Sequence, residues 1–225
     1  MICVTGDTHI PLDIHKLSTE NFKTQKKLTR NDYVIICGDF GGIWNDSKEN
    51  KYWMDWLNNK NFTTLFIDGN HENHHRLNEN YDVIEYCGSK AHRIMDNIYH
   101  LMRGQIFTID DLRFFTMGGA HSQDKEFRRE GISWWAEEMP SDSEYAEAVQ
   151  NLEKHNWSVD CVITHCTANS IQKIISIYDC NRLTNFLEDV KNKLDYKRWF
   201  FGHYHIDRDI DDKHTCLLEQ IVRVG

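Results

Sequence analysis

The sequence predicts an α/β layered fold with crossover connections, and two patterns carry that expectation. Short apolar runs of four to six residues, rich in β-branched and aromatic side chains, recur along the chain, and most end in a glycine-containing polar cluster. That is the signature of buried strands rather than of buried helix segments. Longer stretches with apolar residues at helical spacing lie between several of them, and such alternation implies strands and helices in separate layers. At 225 residues, 40% hydrophobic and 27% charged, the chain suits one globular domain over 1–225, with or without a sizeable insertion, and can bury a real core.

Taken in order, Met1–Thr5 runs into Gly6-Asp7-Thr8-His9, and Tyr33–Cys37 into Gly38-Asp39-Phe40-Gly41-Gly42. Lys51–Asn59 has helical spacing, and Trp53, Trp56 and Leu57 read as a stripe facing the core rather than an aromatic binding box. Thr64–Ile67 leads to Gly69-Asn70-His71-Glu72, with His74 and His75 just after it expected on an exposed helix surface. Arg113–Met117 leads to Gly118-Gly119-Ala120-His121, Asp160–Ile163 to Thr164-His165, and Arg198–Phe201 to Gly202-His203-Tyr204-His205. Helical spacing returns over Ser143–His155, Ala168–Ile177 and Leu183–Leu194. Gly119–Pro140 is the longest stretch without periodicity, and a long irregular loop is often functional. No internal repeat or low-complexity linker interrupts the pattern.

Composition narrows the function classes. A net charge of −9 argues against a non-specific binder of long nucleic acids, which leaves a basic footprint. An acidic protein still acts on anions where bound metal inverts the local field. Thirteen histidines against two prolines favour a metal site without locating it. The seven cysteines form no C-x-x-C pair, and Cys3, Cys37 and Cys161 lie inside apolar runs. They read as reduced, buried thiols of a cytoplasmic protein. Neither a signal peptide nor a membrane-spanning run is read.

Ligands in open α/β sheets gather outside the carboxyl ends of the strands. Five of the polar clusters fall there and hold potential metal ligands. Asp7 and His9, and again His203 and His205, stand at i, i+2, so in extended chain each pair points to one side. Asp39, Asn70 and His165 add a carboxylate, an amide and an imidazole. Any one pair of this kind is usually structural; five in series, each after a strand, are not. Two dications against the carboxylates of Asp7 and Asp39 would leave a net charge of about +2, suited to gripping a phosphoryl group.

The series Asp7-x-His9, Gly38-Asp39, Gly69-Asn70-His71-Glu72, Thr164-His165 and Gly202-His203-x-His205 resembles the calcineurin-like metallophosphoesterase superfamily from residue 6 to 205, and the run Gly118-Gly119-Ala120-His121-Ser122-Gln123-Asp124-Lys125, with Arg128 and Gly131-Ile132-Ser133-Trp134-Trp135, looks like an element of its small bacterial and phage members. The resemblance implies an αββα sandwich of two mixed β-sheets flanked by helices. It implies that Asp7, His9 and His205 hold one metal, that Asn70, His165 and His203 hold a second, and that Asp39 bridges them. A metal-bridging hydroxide would then attack phosphorus in line. His71 would be no ligand but a catalytic imidazole that steadies charge or protonates the leaving oxygen. Asp68 would support a ligand histidine or serve a turn, and Glu72 would act directly or cap the next helix.

The second motif, Gly38-Asp39-Phe40-Gly41-Gly42-Ile43-Trp44, lacks the Asp-Arg-Gly of the phosphoprotein phosphatase branch, although Gly69-Asn70-His71-Glu72 is shared with it. Lys125 and Arg128 are the candidate substrate contacts, following a strand end in the irregular segment; Trp134 and Trp135 would stack on a base, lid the site or pack in the core. His121 is a spare imidazole rather than a ligand. The expected function is hydrolysis of a phosphomonoester or phosphodiester, in a small molecule or a nucleotide, with two divalent ions: manganese first, then iron, zinc or nickel. The alternatives are protein Ser/Thr phosphatase-like activity, a nucleotide or cyclic-nucleotide phosphodiesterase, and a silent metal-binding module.

Overall fold

The computed structural model describes residues 1–224. In chain order its elements are β1 (Ile2–Thr5), β2 (Tyr33–Ile36), α1 (Lys48–Asn58), β3 (Thr63–Phe66), α2 (His74–Glu79), β4 (Val83–Tyr86), β5 (Ser89–Met95), β6 (Ile98–Leu101), β7 (Gln105–Ile109) and β8 (Leu112–Met117). They continue with α3 (Asp142–Lys154), β9 (Cys161–Thr164), α4 (Asn169–Ile175), α5 (Arg182–Lys193), β10 (Arg198–Phe201), β11 (Arg208–Asp209), β12 (His214–Cys216) and β13 (Ile221–Val224). The strands form two mixed sheets, ordered β13-β1-β2-β3-β6-β5-β4 and β11-β12-β10-β9-β8-β7.

Period-two alternation along the central strands builds three apolar layers. Ile2, Val4, Ile35, Leu65, Phe114, Ile163 and Phe200 point between the sheets. Their neighbours Cys3, Val34, Ile36 and Phe66 face outward, where Met54 and Leu57 of α1 cover them. On the other sheet, Phe115, Val162, Trp199 and Phe201 face Ala148, Leu152, Leu183, Leu187 and Val190 of α3 and α5. Both faces of each central strand are therefore dry, which is why those strands read as unbroken apolar runs. The result is the αββα sandwich. Trp53 and Trp56 pack half-buried against the outer layer beside Leu57, as a stripe should.

Helix boundaries follow their caps. Ser141 accepts from the Glu144 N–H while Glu144 reaches back to the Ser141 N–H, a capping box that starts α3. Asn181 and Thr184 do the same for α5. The helix expected over Ala168–Ile177 stops at Ile175, because Gln172 donates to the Tyr178 carbonyl at 2.9 Å and draws the chain out of helical register. Strands β4 to β7 carried no sequence expectation. Two of their hairpins turn on Cys87-Gly88 (φ 50° and 83°) and Asp110-Asp111 (φ 48° and 64°), two-residue turns without the Asn-Gly or Asp-Gly signal. All seven cysteines are unpaired. Among the described residues, no helix is long and apolar enough to cross a membrane.

Candidate metal centre

The ends of β1, β2, β3, β9 and β10 converge on one cleft, and each delivers its motif there. The i, i+2 pairs do so differently from expectation. His9 (φ 34°), His203 (φ 68°) and His205 (φ 52°) are left-handed, so sharp turns rather than strand alternation aim the imidazoles. An extended continuation would have carried them past the cleft. Two glycines make room where the loops meet. A Cβ on Gly69 would sit 2.1 Å from Asp39 Oδ1, and one on Gly38, itself at φ 91°, would sit 2.3 Å from His165 Nδ1.

Donor atoms of Asp7, His9, Asp39 and His205 all lie within 4.8 Å of one another. Asp39 is shared. Its Oδ2 stands 3.2 Å from His9 Nε2, and its Oδ1 stands 3.2 Å from His165 Nε2. Asn70 Oδ1 is also 3.2 Å from His165 Nε2, and the His203 ring lies 5.0 Å from the His165 ring, centroid to centroid. His205 Nε2 reaches Asp7 Oδ2 at 3.3 Å. All seven expected ligands thus meet in one cleft, in two groups joined by Asp39.

The donor chemistry fits a divalent metal. Burial alone would push the His9 and His165 imidazoles down, but Asp39 and Asp7 outweigh it and raise them to about 9 and about 10. Burial opposes ionisation of Asp39 too, yet His165 and His9 hold its carboxyl well below the ordinary range. The same carboxylates that draw protons to these imidazoles would draw a cation, and metal binding would compete with those protons. His203, by contrast, is driven to about 3 by burial and by His165, which leaves a neutral imidazole with a free lone pair. Nitrogen and oxygen donors without thiolate suit manganese, iron, zinc or nickel.

Supporting partners lie behind these groups, and sequence reasoning missed most of them. Asp13 Oδ2 is 2.7 Å from His9 Nδ1, and the Cys37 carbonyl is 2.8 Å from His165 Nδ1. Both contacts direct Nε2 into the cleft. The Asp13 contact had a signal in its i+4 spacing; the Cys37 carbonyl had none. Lys16, buried beside Asp7, donates to the Asp7 and Leu218 carbonyls.

Asp68 supports no ligand histidine and serves no exposed turn. It is buried and accepts from Arg103 Nε at 2.9 Å, with His100 Nε2 at 3.1 Å from its other oxygen. Despite burial, Arg103 and His100 hold it well below the ordinary carboxylate range. Arg103→Met strands that charge in the interior and is expected to cost about 3–5 kcal/mol of stability, read from urea unfolding. Glu72 caps no helix, since Asn73 caps α2. It is buried and accepts from the Phe40 N–H at 2.6 Å, and burial pushes its carboxyl well up. His74 is buried rather than exposed, because the short α2 packs against the turn at Ala136–Glu138 and sets it beside Asp68, His100 and Arg103; His75 is exposed.

The His71 N–H donates to Asp39 Oδ1 at 2.7 Å, and its ring lies 5.5 Å from that of His9. Burial lowers its affinity for a proton, against the pull of Asp39, and Arg128 lowers it further. Arg128 reaches His71, with Nη2 at 3.1 Å from Nε2, while its Nε pairs with Asp124 at 2.7 Å. Lys125 is not brought in: it is exposed, 6.0 Å over the Trp134 ring. Trp135 is core, edge-on to Trp44, and Trp134 is half-buried.

A two-sheet sandwich with a histidine- and carboxylate-rich centre at its strand ends defines a class of metal-dependent phosphoester hydrolases. Residues 1–207 match the family model for calcineurin-like phosphoesterases, and the chain belongs to that family. Its members generally bind two divalent metals. None of the curated proteins compared with the chain matches it.

Proposed function

We propose that the protein is a dinuclear phosphoesterase acting on a small phosphomonoester or phosphodiester, nucleotides included. The single observation that supports this most is Asp39, whose two carboxylate oxygens face opposite ligand groups at 3.2 Å each. Asp7, His9, Asp39 and His205 would hold one ion, and Asp39, Asn70, His165 and His203 the other. Such a pair, manganese in first place, supplies Lewis acidity toward phosphoryl oxygen and a nucleophile drawn from water at neutral pH.

The chain's own groups account for the rest. His71, anchored through its main chain to Asp39, would pass a proton to the leaving oxygen once bound substrate draws Arg128 away and its negative charge offsets the burial that depresses the imidazole. Arg128 presents a planar fork suited to two phosphoryl oxygens and would exchange its contact with His71 for the substrate. Lys125, exposed at the rim, would add to the local field rather than grip phosphate. The missing Asp-Arg-Gly favours small phosphoesters over phosphoproteins. Unpaired thiols throughout are in keeping with a cytoplasmic setting.

The test is metal dependence. Chelated protein is expected to lose hydrolysis of nitrophenyl phosphate or its diester and to regain it with Mn²⁺. Undiminished turnover after chelation, with metal content shown to be nil, overturns the reading.

A further inference from the structure

We propose that Glu138 and Ser122 are positioning residues that fix which end of the Asn70 amide faces the metal centre, an inference that rests on the functional reading above. The three side chains form a buried line: Asn70 is 5% exposed, Ser122 1% and Glu138 1%. Asn70 Nδ2 donates to Ser122 Oγ at 3.2 Å, and Ser122 Oγ donates to Glu138 Oε2 at 2.6 Å. The Ser122 N–H donates to Glu138 Oε1 at 2.8 Å, so both carboxylate oxygens accept from one residue.

The direction of each bond follows from proton counting. A carboxylate only accepts, and a hydroxyl has one proton to give. With that proton committed to Glu138, Ser122 Oγ can only accept from Asn70. It therefore draws in the amide NH₂ and turns Oδ1 toward His165 Nε2, 3.2 Å away. The two ends of an amide are nearly equal in shape, and a metal takes only the oxygen. Hydrogen-bond polarity, not packing, makes the choice.

The relay is held firmly. Arg103 Nη2 donates to the carbonyls of Glu137 at 2.8 Å and Glu138 at 3.3 Å, while its guanidinium grips Asp68. A buried carboxylate is costly unless hydrogen-bonded, and here Ser122 supplies a bond to each oxygen. Orienting a metal ligand gives the irregular segment 119–140 a task at the centre itself.

Glu138→Gln tests this with almost no change of shape. Its Oε1 keeps the Ser122 N–H, so its NH₂ must donate to Ser122 Oγ. The hydroxyl proton then turns toward Asn70, and the amide reverses. Manganese and zinc titrations followed by calorimetry and metal analysis are expected to show the second ion bound about 10–100-fold more weakly in E138Q. Ser122→Ala added to E138Q removes the reversing proton and is expected to recover most of that loss, with thermal melting to verify folding. Wild-type affinity in E138Q, or a double variant no tighter than E138Q, overturns the relay; the second result would mean that only the carboxylate's charge matters. Affinities that follow the expected order in a protein that cleaves no phosphoester overturn the functional reading and leave the relay standing. A wild-type chain that binds no metal overturns both.

Discussion

Replacing Asp39 with asparagine is expected to abolish metal-dependent turnover, a loss well beyond the hundredfold or so that a supporting hydrogen bond costs. Asp39 faces a ligand imidazole of each cluster at 3.2 Å, one through each carboxylate oxygen. Its charge also raises the proton affinity of His9 and His165, and it receives the His71 N–H. An amide at this position keeps the shape, loses the charge and offers one oxygen instead of two. Metal analysis should find both ions diminished. By contrast, His205→Ala, at the exposed rim of one cluster, should weaken mainly one. If Asp39→Asn retains two ions and ordinary kcat, the shared-carboxylate arrangement is wrong.

His71→Asn is expected to behave differently, lowering kcat by about 10²–10⁴ with metal content intact, the range typical of a lost general acid. The separation rests on where its groups point. The main-chain N–H of residue 71 serves Asp39 and survives substitution. The imidazole touches Arg128 and lies beside His9, outside the donor clusters. A substrate whose leaving group is already a stable anion should be cleaved nearly as well by the variant, because it needs no proton. Loss of metal from His71→Asn would show that the side chain is structural.

Much of this was legible in the sequence because buried strands followed by glycine and a polar cluster announce themselves. β1, β2, β3, β8, β9 and β10 were placed within a residue or two, and the residues after five of them meet in the cleft. What escaped reading lacked a local signal. β4 to β6 sit toward one edge of their sheet, where β4 alternates exposed and half-buried side chains, and their hairpin turns on Cys87-Gly88. Lys16, Glu138 and the Cys37 carbonyl support ligands from positions no spacing rule connects to them. The burial of His74 is hidden for a related reason: a polar residue opening a short helix reads as exposed, but α2 packs against the turn at Ala136–Glu138 and covers it.

The pairing of β1 with β13 has a consequence for how the protein comes into being. Ile2 sits opposite Val224 and Thr5 opposite Ile221, so β1 takes one of its two partners from a strand far away in sequence. Lys16 ties the same region to the Leu218 carbonyl. Until that pairing forms, one edge of β1 is bare, and long-range closure of this kind is slow. An open strand edge is a template for unwanted pairing. Because Asp7 hangs from the end of that strand and meets His205 from far along the chain, the metal centre is complete only once these distant segments have closed on each other.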